Sequence, residues 1–177
     1  MRESAVALIF VGEAPEREFL VLRRTEHPLD PWSGQVSFPG GKWETEDLSL
    51  LDTAIRETEE ECQVILTDRN LFQELDIAYA GLAQGKRVPV HPFVFKLANK
   101  PELMLNPQEF QEYFWIQEGD FLNADLHKSF YPIPQNSLEV MQFPIYSKYQ
   151  KKEIALWGFT YTVLKNFIGF SSDFSTN

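Results

Sequence analysis

Between Gly34 and Val64 the chain reads GQVSFPGGKWETEDLSLLDTAIRETEEECQV, and no other stretch limits the fold as much. Leu51, Ala54, Ile55, Thr58 and Cys62 recur at spacings of three and four, which predicts a helix from about Leu48 to Cys62 with one buried face. Asp47 or Thr45 is placed to cap its start. Glu57, Glu60 and Glu61 fall at i, i+3 and i+4, so they share a face, distinct from the buried stripe. Just before the helix, Pro39, Gly40 and Gly41 stop the short strand QVSF (35–38) and read as a loop.

A solvated acidic surface is the plainest explanation of such a run, but the spacing of charges speaks against it. Surface helices offset Glu with Lys or Arg four residues on. Here Glu57 is followed by Glu61, Glu59 faces Gln63, and only Arg56 reaches Glu60. Two carboxylates ~4 Å apart repel by about 4 kcal/mol at an effective dielectric near 20, and less where water enters. A divalent cation relieves that repulsion, and hard cations such as Mg²⁺ and Mn²⁺ take oxygen ligands. Glycines beside the acids let backbone approach a ligand or metal closely, and a backbone carbonyl there could be a further ligand.

The rest of the chain supplies a mixed α/β frame. SAVALIFV (4–11), EFLVLRR (18–24), ELDIAYAGLA (74–83), VPVHPFVFKL (88–97), FQEYFWIQ (110–117) and LEVMQFPIY (138–146) read as strands, and GDFLNADL as a short helix or turn. EIALWGFTYTVLKNFI (153–168) carries Ile154, Trp157, Tyr161, Leu164 and Ile168 at helical spacing, which predicts a closing helix. Strands and helices do not alternate strictly, so the expected fold is a mixed sheet with helices on its faces. At 177 residues, with no internal repeat, the chain is expected to form a single domain, 1–177.

A formal net charge of −10 argues against a nucleic-acid backbone as partner but leaves room for a small anionic ligand beside a bound cation. No apolar run is long enough to span a membrane. The single cysteine, Cys62, fits a reducing, cytoplasmic setting, and its place on the apolar stripe assigns it to packing. The aromatic share of 14% suits a ring-lined pocket, and an aromatic surface suits a homodimer.

GGKWETEDLSLLDTAIRETEEECQV resembles the signature of the Nudix hydrolases, G-x5-E-x7-R-E-U-x-E-E-x-G-U, with U aliphatic. Gly41 matches the first glycine, Arg56-Glu57 the R-E pair, Glu60-Glu61 the E-E pair and Val64 the last U. Asp47 stands for the middle acid with one extra residue before Arg56, Thr58 for an aliphatic residue, and Gln63 for the late glycine. The resemblance implies an α/β/α sandwich on a mixed sheet. It implies metal-dependent attack of water on a pyrophosphate bridge, with Glu57, Glu60 and Glu61 binding Mg²⁺ or Mn²⁺. Gly41 would lend its carbonyl, Arg56 would orient a glutamate, and Asp47 would be secondary.

GQVSFPGG, the long Asp47–Arg56 gap, VPVHPFVFKL and LWGFTYTVL are further similar to the coenzyme A pyrophosphatase branch, and VLRRTEHPLDPWSGQV keeps that branch's Arg24, Gly34 and Gln35. The implied substrate is coenzyme A or an acyl-coenzyme A, giving 3′,5′-ADP and 4′-phosphopantetheine. ADP-ribose, a dinucleotide or a nucleoside triphosphate keeps the same chemistry, and a nucleotide-sensing module without turnover is the reading from another class.

Basic residues are needed at the substrate's phosphates. Arg24 leads, with Gly40 and Lys42 beside the acids, and Lys86 and Arg87 further off. Trp32, Trp43, Tyr79, Phe114 and Trp115 are the rings that could stack on a base. Glu109 and Glu112 are the nearest candidates for a general base outside the helix, and a base from within Glu57–Glu61 is the alternative. His27, His91 and His127 are scattered and carry no site.

Overall fold

A computed structural model describes residues 3–81, 85–132 and 138–171. Its centre is β1 (Ser4–Val11), paired in parallel with β7 (Val88–Leu97) along one whole edge. The other edge is shared. Its second half pairs antiparallel with β2 (Glu18–Arg24), and its first half with β4 (Gly40–Lys42). β2 continues outward to β3 (Val36–Ser37) and to β8 (Phe110–Gln117), while β5 (Leu71–Glu74) and β6 (Ala78–Ala80) flank β7. The result is a mixed eight-stranded sheet, forked where β2 and β4 part.

Both faces of that sheet are covered, which explains why β1 and β2 read as nearly unbroken apolar runs. Ala5, Ala7, Ile9, Leu20 and Leu22 pack on one face against Ala54 and Cys62 of α1 (Leu50–Cys62). Leu8, Phe10, Phe19 and Val21 pack on the other against Tyr161, Val163 and Leu164 of α3 (Gly158–Ile168). A second sheet, β9 (Lys128–Phe130), β10 (Val140–Ser147) and β11 (Lys152–Trp157), closes that second side with Phe143, Ile145 and Leu156. A one-turn α2 (Glu118–Phe121) sits between them in sequence. Helix, sheet and helix therefore stack as the α/β sandwich expected from the sequence.

Four local expectations are corrected. EIALW is strand β11, paired with β10, and the closing helix starts only at Gly158. The residues 74–83 hold the end of β5 and all of β6 rather than one strand, with 82–84 outside the described residues. Ser49, not Asp47 or Thr45, caps α1, its hydroxyl accepting from the Asp52 amide at 3.1 Å. Gly40 and Gly41 are not a free loop but the strand β4, in register with Val6 and Ala5.

Candidate active site

β4 reaches β1 only because its first two residues lack side chains. A Cβ at Gly40 would strike the Ala5 carbonyl and the Val6 backbone, and one at Gly41 would strike the Glu57 carboxylate. The glycine pair is thus a seam, with backbone pressed against β1 and α1 close over it. Gly40 donates its amide to Glu61 Oε2 at 2.9 Å.

Glu61 overturns the expectation that the acid face and the buried stripe are separate. It is only 2% exposed, beside Thr58 and Cys62 on the inward side of α1. Burial pushes its carboxyl up to about 9 against one favourable bond from Gly40, with Glu57 and Glu109 adding like charge. Burial likewise pushes Glu57 up, opposed by Arg56. Glu60, by contrast, lies on the exposed flank of the helix.

Arg56 ties this helix to β4 and to the turn before it. Its Nε and Nη2 grip both oxygens of Asp47 at 2.8 and 3.0 Å, and Nη2 also donates to the Lys42 carbonyl at 3.1 Å. The same guanidinium lies 3.2 Å from Glu57 and 3.4 Å from Glu60. Asp47 further accepts from the Thr53 hydroxyl at 2.8 Å and the Glu44 amide at 3.0 Å. The Arg56 bond, foremost, holds the Asp47 carboxyl well below the usual carboxylate range. Asp47 is therefore the anchor of Arg56.

The C-terminal end of α1 fixes a further acid. Gln63 takes the left-handed conformation (φ 57°, ψ 25°) and returns its amide to Glu59 O at 2.9 Å. Met104 and Asn106 then donate their amides to the Cys62 and Glu61 carbonyls at 3.1 and 2.8 Å, strapping the loop before β8 to the helix end. Glu109 follows in that loop, held by Asn106 Nδ2 at 2.9 Å and close enough to raise both Glu57 and Glu61. Glu112 faces elsewhere. It accepts from the Ser147 hydroxyl at 2.6 Å and lies 4.0 Å from Arg23.

On the opposite side of the glycine seam opens a cleft of about 880 Å³. Arg24, Trp32, Gln35 and Tyr79 line it together with Gly40 and Gly41, and Trp157 and Phe159 close it from the C-terminal elements. Arg24 is paired with Asp30 at 2.9 Å, and its charge is still felt at Glu61. Lys86 stands 5.6 Å over the Trp32 ring and Arg87 4.1 Å over Tyr79, placing a cation at each of these two rings.

Not every expected residue arrives there. Lys42 is exposed and gives Arg56 only its carbonyl. Trp43 donates Nε1–H to the Asp47 carbonyl at 3.2 Å, and Phe114 and Trp115 pack against opposite cores. His127 is buried, bonded to Tyr161 and the Phe121 carbonyl; His91 lies 3.9 Å from Glu3; His27 turns inside its own loop. The cleft walls Trp157 and Phe159 were not among the expected residues, though the aromatic run LWGFTY at a strand–helix junction was their signal.

Among the described residues, no three carboxylate, imidazole or thiol groups converge as a closed metal cage, because Glu57 and Glu60 turn to Arg56 and Glu61 to Gly40. The donor set nevertheless fits a hard divalent cation. It is all oxygen, it includes a carboxyl that burial holds above its ordinary range, and the side-chain-free Gly41 backbone lies against the Glu57 carboxylate.

Comparison with known proteins agrees with this fold. The family described as NUDIX domain matches residues 1–136. The Nudix hydrolase NudL of Yersinia pestis (strain Pestoides F), described as uncharacterized, is 30% identical over 162 residues, covering 92% of this chain and 76% of its own. Among solved structures, a MutT/nudix family protein from Enterococcus faecalis superposes with a TM-score of 0.60 at 15% identity, over 92% of this chain and 59% of that chain. An Ap4A hydrolase of C. elegans superposes with a TM-score of 0.51 at 25% identity, over 71% of this chain and 87% of that chain.

Proposed function

The chain belongs to the Nudix family of pyrophosphohydrolases, and from that premise we propose that it cleaves the pyrophosphate bridge of coenzyme A or an acyl-coenzyme A. The products would be 3′,5′-ADP and (acyl-)4′-phosphopantetheine. One observation carries the site: the Gly40–Gly41 seam lies between a nucleotide-sized, ring-lined cleft and the acids Glu57 and Glu61 of α1. The substrate rests on the stretch VLRRTEHPLDPWSGQV, whose Arg24 and Gln35 stand on the cleft wall.

Glu57, Glu61 and the Gly41 carbonyl would hold Mg²⁺ or Mn²⁺, with Glu60 as the outer acid. A bound cation would lower the pKa of a coordinated water and neutralise charge on the phosphates. Arg56, itself fixed by Asp47, keeps Glu57 and Glu60 in place, and the Gly40 amide keeps Glu61 in place. Arg24 meets the substrate's phosphates; Lys42 is too exposed to share that role, and the Gly40 amide, expected there, is committed to Glu61. Trp32 and Tyr79, backed by Lys86 and Arg87, stack on the adenine. In the chemical step a water oxygen bonds to one phosphorus, the bridging P–O bond breaks, and Glu109 takes the water's proton on its carboxylate.

Among the described residues no helix is long and apolar enough to cross a membrane. The reading places residues 1–177 as one domain in the cytoplasm, where the buried Cys62 thiol stays reduced. The test is mass spectrometry of products after incubating the protein with coenzyme A and Mg²⁺ or Mn²⁺, beside ADP-ribose and a dinucleoside tetraphosphate. Metal-dependent release of 3′,5′-ADP supports the reading. Turnover of another substrate alone moves the specificity away from coenzyme A, and no turnover of any would leave a sensing module.

A further inference from the structure

The loop 25–34, between β2 and β3, inverts the ordinary preference of its side chains. Leu29 is 86% exposed, whereas the side chain of Asp30, the next residue, is largely covered at 18%. Pro28 and Pro31 on either side fix φ, so the loop holds this arrangement with little freedom. The covered carboxylate has two partners. Its Oδ1 accepts from the Trp32 amide at 3.0 Å, which sets the orientation of the carboxylate. Its Oδ2 accepts from Arg24 Nε at 2.9 Å and lies 2.9 Å from Nη2 of the same side chain. Asp30 thus joins two residues of the cleft wall, Arg24 and Trp32.

The Arg24 guanidinium is therefore held along one edge by Asp30, and it stands 5.7 Å over the buried Phe110 ring. Among the described residues its Nη1 makes no hydrogen bond, and the side chain is 30% exposed. The donors it has left for a ligand are those of Nη1 and the outer N–H of Nη2, a fork that suits phosphate oxygens. An arginine gives up much rotamer freedom when a ligand fixes it, and Asp30 removes most of that freedom in advance. Building on the reading that Arg24 meets the substrate's phosphates, we propose that Asp30 is a positioning residue: fixed by the Trp32 amide, it holds the Arg24 guanidinium with its open fork toward the diphosphate. The carboxylate also brings negative charge near an anionic ligand. The pair is partly exposed, so that charge is screened and the ordering of Arg24 outweighs it. The fork serves the diphosphate that coenzyme A, ADP-ribose and dinucleotides share, not the group that distinguishes them.

The test is a double-mutant cycle of Arg24→Gln and Asp30→Asn. Asp30→Asn keeps the shape and an oxygen for the Trp32 amide, while its NH₂ cannot accept from Arg24. The readout is the Kd of α,β-methylene-ADP, a nucleoside diphosphate that cannot be cleaved, by calorimetry with Mg²⁺ at physiological ionic strength. KM and kcat for coenzyme A are measured in parallel. Asp30→Asn should weaken the analogue about fivefold, the scale of one long side chain left for the ligand to order. KM for coenzyme A should rise by a similar factor with kcat little changed. The melting temperature should stay within about 3 °C of wild type, because a partly exposed ion pair adds little stability. Arg24→Gln should weaken binding at least as much, and the double variant should bind like Arg24→Gln alone. Factors that multiply in the double variant overturn the inference, because Asp30 would then support the loop and not Arg24. Unchanged or tighter binding by Asp30→Asn overturns it as well. No binding by the wild type, or an unchanged Kd in Arg24→Gln, removes Arg24 from the phosphates, and the inference falls with that reading. No hydrolysis of coenzyme A, with the cycle as expected, overturns the substrate alone and leaves Asp30 in its role.

Discussion

At the scale of single residues, the buried Glu61, the half-buried Glu57 and their neighbours divide the work by burial. Glu61 is held by one amide in an apolar surround, so an isosteric amide fits its place without its charge. Glu61→Gln is expected to lower kcat by at least about a hundredfold, the scale seen when one charge-stabilising group is lost. Circular dichroism and the melting temperature should show an intact fold, and near-normal kcat in the folded variant would remove Glu61 from the site. Glu109 and Glu112 differ in the same measurable way. Glu109 faces Glu57 and Glu61, so Glu109→Gln should lower kcat by about a hundredfold with KM little changed. Glu112 anchors Ser147 and faces Arg23, so Glu112→Gln should keep kcat within a few-fold and lower the melting temperature instead. Steady-state kinetics of the two variants, with equal metal, decide between them.

At the scale of elements, α1 is tuned more for its neighbours than for itself. Its C-terminal residue Gln63 occupies a left-handed site that glycine fills without strain. Gln63→Gly relieves about 1 kcal/mol of backbone strain and returns part of it as extra freedom of the unfolded chain. The expected net gain is about 0.5 kcal/mol, read as a melting temperature higher by about 1–2 °C; a lower one would mean that the Gln63 side chain contributes contacts of its own. That helix was legible in the sequence because its apolar period and its acids are local signals. So were β1, β2, β7 and β8, whose runs are long and apolar. What misled was local ambiguity settled by partners far along the chain. EIALW has helical spacing, but pairing with β10 makes it a strand. Gly40-Gly41 looks like a turn until β1 is known to lie against it. The burial of Glu61 could not be read from its helix position alone, because the seam and the loop strapped to the helix end close over it.

At the scale of the whole molecule, these groups set how stability follows pH. Glu61 titrates near 9 when folded and near its ordinary 4.5 when unfolded, so between those values the folded chain keeps a proton that the unfolded chain has lost. Its contribution is full below about 4.5 and is lost as pH rises toward 9. Glu57 is shifted in the same direction. Asp47 and His127 are shifted the other way, so their contributions are complete above their ordinary values of 3.8 and 6.5 and fall only as pH drops. Cys62, pushed from its ordinary 9.0 up to about 11 by burial, loses its contribution only as pH rises past 9. The interval from pH 7 to 9 therefore isolates the acids of α1. In a chelating buffer the melting temperature should fall across it, and in Glu61→Gln it should stay nearly level. Millimolar Mg²⁺ should raise the wild-type melting temperature, and raise it most at pH 9, because cation and proton compete for the same carboxylates. A metal effect as large in Glu61→Gln as in the wild type would place the cation elsewhere in the molecule.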